Sequence, residues 1–80
     1  MDILRQLKLK RYISNCKARI EEFEQKRSRS QAALVDAILT HNTASDEDVE
    51  YFNKYTVLID RERHQMHVYE EELAKLKGKK

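Results

Sequence analysis

Asp60, His64, His67 and Glu71 stand at i, i+4, i+7 and i+11. On a helix that spacing puts two carboxylates and two imidazoles in one row, a donor set able to hold zinc. Rows of this kind are also common on polar helix surfaces, and this one reads as a solvated face with no metal assigned to it. Cys16 is the other reactive group, and as the only cysteine it has no partner for an intramolecular disulfide. Arg19, one turn away, would favour its thiolate, but Cys16 falls on an apolar stripe with no general base in the same turn. It therefore reads as an inert core thiol. No nucleophile–base–orienter arrangement and no glycine-rich phosphate loop is present. Tyr55 and Tyr69 read as packing aromatics. The chemistry on offer points away from catalysis and implies no cofactor.

The elements that carry these residues are helical. The chain has 80 residues, of which 38% are charged, and it contains no proline and a single glycine, Gly78. An all-β fold needs turn residues at short intervals and has none here. Apolar residues recur at helical spacing instead, so the chain is all-α. Eighty residues form one small domain, near the lower size limit for independent folding. No apolar run approaches the ~20 residues of a membrane span. The N-terminus, Met1 to Tyr12, mixes charged and apolar residues without a signal-peptide core. A cytoplasmic location is the expectation.

Two stripes define two helices. The first runs through Leu9, Ile13, Cys16, Ile20, Phe23, Arg27, Ser30 and Leu34, closing on Ala37 or Ile38; the second through Phe52, Tyr55, Ile59, Glu62, Met66, Tyr69, Leu73 and Leu76. Steps alternate between three and four residues, the heptad spacing of a coiled-coil seam. The expected layout is helix 1 over 2–41, a turn at 42–45, helix 2 over 46–77 and a basic tail at 78–80. Each seam has one charge near its centre, Arg27 and Glu62. Folding the chain back around Ala44 and Ser45 sets these two charges face to face, and an unpaired half-buried charge penalises other registers. The expectation is an antiparallel two-helix hairpin with Arg27 and Glu62 as its register-setting pair. A swapped antiparallel dimer of straight rods would satisfy the same pairs. Ser45 is placed to cap the second helix, with Asp46, Glu47 and Asp48 in its first turn.

Two helices leave part of every seam residue uncovered, and further apolar residues lie off the seams. Val35, Leu39, Tyr51 and Leu58 cluster towards the turn, Leu7 and Tyr12 towards the open end. Exposed apolar side chains on a small hairpin imply a partner. These six are the candidate partner-binding residues, serving either a second copy, with a four-helix bundle as the product, or an amphipathic helix of another protein. Net charge is only +2, but it is uneven. Residues 1–20 carry six basic side chains against one acidic, residues 75–80 carry four lysines, and residues 43–50 carry four acids and no base. A basic open end can hold phosphates, which makes nucleic-acid binding an alternative. A solvated terminus accounts for the same charges, and nucleic acid is not the expected partner.

Two family resemblances bear on function. Asn42 to Asp60, NTASDEDVEYFNKYTVLID, resembles the small helical-hairpin proteins of bacterial type III secretion, needle subunits and co-chaperones, in its short acidic turn and aromatic-rich second helix. Needle subunits usually carry prolines in the turn and end in an apolar helix, whereas this chain has Thr43-Ala44-Ser45-Asp46 and ends in KLKGKK. The resemblance therefore implies a chaperone-like or assembly partner. Thr56 to Asp60, TVLID, is similar to the Ser-x-x-x-Asp motif of the hairpin phosphatases that act on sporulation response regulators, with Thr in place of Ser. That resemblance implies, as the enzymatic alternative, a phosphatase acting through Asp60. The main expectation is a non-enzymatic protein–protein interaction module.

Overall fold

Without proline or internal glycine, nothing interrupts either run of helix-forming residues. The computed structural model describes residues 2–78. It contains two helices, α1 (Asp2–Leu39) and α2 (Asp46–Gly78), packed antiparallel as a hairpin measuring 59 × 16 × 16 Å. Lys79 and Lys80, the end of the expected basic tail, lie outside the described residues.

The reversal between the helices is built without glycine. Asn42 N–H donates to Ala37 O at 2.8 Å and His41 N–H to Ile38 O at 3.3 Å. This pair of bonds is the Schellman closure of a helix C-terminus. The closure requires a left-handed residue at His41, which sits at φ 57°. Glycine takes that conformation without steric cost, while a residue with a Cβ does not. His41→Gly is therefore expected to stabilise the hairpin by about 1 kcal/mol, read as a rise in the thermal midpoint followed by circular dichroism. On the far side of the turn, Ser45 Oγ accepts from Asp48 N–H at 3.1 Å and donates to Asp48 Oδ2 at 2.8 Å. The side-chain oxygen occupies one of the donors left open at the start of α2.

The core is one thin seam. Leu9, Ile13, Cys16 and Ile20 of α1 are buried, together with Tyr55 and Ile59 of α2. Aromatic rings extend it in both directions: Phe23 meets Tyr55 at 5.8 Å between centroids, and Tyr12 meets Tyr69 at 5.3 Å. Ion pairs flank the seam between Arg5 and Glu72 (3.0 Å), Arg19 and Glu62 (2.6 Å), and Arg63 and Glu24 (3.6 Å). The accessible surface is 6480 Å². A compact monomer of this mass would expose roughly 5,100 Å².

The register differs from the expected one. Glu62 is paired with Arg19, and Arg27 donates from Nη1 to Thr56 Oγ1 at 3.1 Å while lying over the Phe52 ring. The expected Arg27–Glu62 pair is not formed; the helices sit about one heptad away from that alignment. A slip of one heptad returns the same faces to each other, so the seams alone do not distinguish the two registers. The turn does. The Schellman closure ends α1 at Leu39, ahead of the reversal point assumed at Ala44 and Ser45. The nearest seam-compatible alignment is then the one in which Glu62 reaches Arg19.

Candidate interaction surface

At the centre of the seam Arg19 bridges Glu62 and the Cys16 sulfur, to which its Nη2 donates at 3.6 Å. Cys16 itself is fully buried. Burial pushes its thiol above the ordinary value of 9.0, and the Glu62 carboxylate adds to the effect; the Arg19 guanidinium opposes both. The folded thiol holds its proton more tightly than the unfolded one. That contribution to stability is complete below pH 9 and is lost as pH rises through the native value. A buried, protonated thiol is a poor nucleophile. In native protein at pH 7.5, Cys16 should react with a thiol reagent such as DTNB at least ~100-fold more slowly than in unfolded protein, and equal rates would show that the seam opens freely.

The residues considered for metal chemistry are not assembled. His67 Nε2 lies 3.0 Å from Glu71 Oε1. Among the described residues no group of three His, Cys, Asp or Glu side chains is close enough to hold a metal ion. Asp60 is exposed on α2. Thr56, the other half of the phosphatase-like motif, is half-buried and accepts from Arg27. Near the open end, Lys10, Lys17 and Lys77 surround a hollow of about 490 Å³ floored by Ile13, Leu73 and Ala74, with Glu70 on its rim. No helix among the described residues is long and apolar enough to cross a membrane.

The apolar surface is larger than the six candidate residues. Of those, Leu7, Tyr12, Val35, Leu39 and Tyr51 are exposed, and Leu58 is half-buried. Leu58 lines a shallow hollow on α2 with Val57, Lys54, Asn53 and Glu50. Tyr12 and Tyr51 are exposed only in part, because each rests on a ring of the hairpin. Tyr12 packs on Tyr69, and Tyr51 on Tyr55 at 4.7 Å; contact with Tyr55 also raises the Tyr51 hydroxyl above its usual pKa. Leu39 is among the most exposed large apolar side chains at 73%, and the others of that rank lie outside the six, at Ile38 (73%), Ile3 (71%) and Leu4 (66%). Ile38 escaped the sequence reading because it and Ala37 competed for the end of the seam. The packed register gives the inward place to Ala37, which is half-buried, and turns Ile38 out. The signal was the spacing itself, since Ile3 and Leu4 recur as Ile38 and Leu39 after five whole heptads.

Fold and surface together define a class, a charged antiparallel coiled-coil hairpin with apolar side chains exposed towards both ends of α1. Comparison with protein families, with curated proteins and with solved structures finds no match for this chain.

Proposed function

We propose that the chain is a non-enzymatic protein–protein interaction module. The hairpin is the scaffold, and the apolar side chains that its thin core leaves outside form the binding surface. One observation carries this reading: Ile3, Leu4 and Leu7 at one end of α1, and Val35, Ile38 and Leu39 at the other, are exposed on a domain whose buried seam holds six apolar residues among those described. Apolar clusters of this size on so small a core are costly in water and are relieved by association. The surplus of accessible surface over that of a compact monomer exceeds the ~800 Å² that each partner contributes to a standard interface. A chaperone-like or assembly role in the cytoplasm, of the kind the type III secretion resemblance implies, belongs to the same proposal.

Val35→Asp tests it. Val35 is exposed and lies off the seam, so the substitution should leave helicity intact while lowering self-association at least tenfold, by burying an unpaired charge in the interface. Sedimentation velocity with circular dichroism separates the two effects. A chain that melts at a temperature independent of concentration, and whose sedimentation Val35→Asp leaves unchanged, would remove the module reading.

A further inference from the structure

The partner of α1 can be read from its own outer face. Resting on the interaction-module reading above, we infer that the chain forms a two-fold symmetric dimer in which α1 packs antiparallel against α1 of a second copy, through the face opposite the buried seam. That face is palindromic. Turned end for end about Glu21, Leu4 meets the partner's Leu39, Leu7 meets the partner's Val35, and Ile3 meets the partner's Ile38. Every contact then occurs twice, as a two-fold interface requires. All six side chains are exposed in the single hairpin, so no rearrangement is needed to offer them.

The middle and the edges of the face agree with this pairing. Between the apolar ends, Ser14 falls opposite the partner's Ser28 and Ala18 opposite the partner's Gln25, and the small members let the helices approach closely. A hollow of about 540 Å³ on α1 is lined by Ser28, Gln31, Ala32, Val35, Asp36 and Leu39. Leu4 and Leu7 of the second copy are the knobs that would fill it. Along one edge Lys17 meets the partner's Glu24, and along the other Lys8 meets the partner's Asp36. Neither Lys8 nor Asp36 has an ion-pair partner among the described residues of its own hairpin. An amphipathic helix of unrelated sequence would not be expected to match apolar triplets and edge charges in the same alignment.

The opposing terms are Arg11, a cation on the same face that falls opposite the partner's Ala32, and the axis, where Glu21 meets its own copy and Glu22 lies close to its own. Glu22 already holds Lys26 at 3.2 Å, and the ion pair raises the Lys26 ammonium pKa. Lys17 of both copies flanks Glu21. The arrangement places α1 between α2 and the second α1, a layered set of four helices distinct from a bundle closed around one core.

Charge reversal decides the geometry. Sedimentation equilibrium of the full chain should show a dimer; Lys8→Glu and Asp36→Lys should each weaken it about tenfold or more, and the double variant should recover to within about threefold of the parent. Circular dichroism checks that each variant remains helical. Independently, Glu21→Cys should oxidise to a disulfide-linked dimer, since position 21 lies on the axis, while Asn53→Cys on α2 should not; buried Cys16 stays reduced in both. A dimer indifferent to both reversals, with no link at position 21, would overturn the α1 pairing and leave the module reading intact. A helical monomer with a concentration-independent midpoint would overturn both.

Discussion

Ile59→Ala is expected to unfold most of the hairpin at 37 °C. Ile59 is fully buried on α2, and it is one of only two α2 residues in the core. Truncating a buried isoleucine to alanine costs about 2–5 kcal/mol, through lost transfer energy and the cavity left behind. A chain of this size has a total stability of roughly 4–12 kcal/mol, and a single seam belongs at the low end of that range. At 4–8 °C per kcal/mol, the midpoint should fall by about 10 °C or more, measured as the loss of ellipticity at 222 nm. Val57→Ala, two residues away but exposed, is the control and should change stability by less than about 0.5 kcal/mol. Equal effects at the two positions would mean that α2 does not present the face described here. Association adds to stability by mass action, so both variants should be compared at one protein concentration.

Arg27→Met is expected to stabilise the hairpin by about 1–2 kcal/mol. Arg27 occupies a seam position without a carboxylate partner. Its Nη1 reaches Thr56, and its Nε is buried with no hydrogen-bond partner. The guanidinium keeps a favourable contact over Phe52, worth on the order of 0.5–1 kcal/mol. An unpaired buried donor costs about 1–3 kcal/mol, so desolvation outweighs stacking. Methionine retains the contact with the ring and removes the donor. The same substitution would be strongly destabilising if Arg27 paired with Glu62. Combining Arg27→Met with Glu62→Gln sharpens the test. In the register described here the two changes should add to within about 0.5 kcal/mol, and coupling well beyond that would restore the Arg27–Glu62 alignment.

These two residues also mark how far sequence reasoning reached. The stripe containing Ile59 was legible because heptad spacing sustained over many turns seldom arises outside a packed helix seam, and that spacing identified Leu9, Ile13, Cys16, Ile20 and Tyr55 as inward-facing too. The cap at Ser45 was legible because its donor is three residues along the same stretch of chain. Arg27 was assigned the wrong partner because opposite charge at one level is a plausible but degenerate signal. Arg5, Arg11, Arg19, Arg27 and Arg29 offer several matches to the acids of the second helix, and heptad steps space the acceptable alignments seven residues apart. The turn that chose among them depends on a left-handed histidine, which composition does not announce.

The candidate surface divides in the same way. That apolar residues lay off the seam at both ends of α1 could be read from spacing. Which of them remained outside could not, because Tyr12, Tyr51 and Leu58 are each partly covered by neighbouring side chains of the hairpin, and Ile38 was freed when Ala37 took the inward place. Local periodicity determined the helices and their inward faces, since each depends on residues within a few turns of one another; the same seams fit a swapped dimer of straight rods, so the reversal of the chain was decided by the turn. The ion-pair partners, the depth of burial of each off-seam side chain and the extent of the outer face were decided only in the tertiary structure. They depend on how far one helix slides along the other, and a repeat of seven leaves that distance open until the turn closes it.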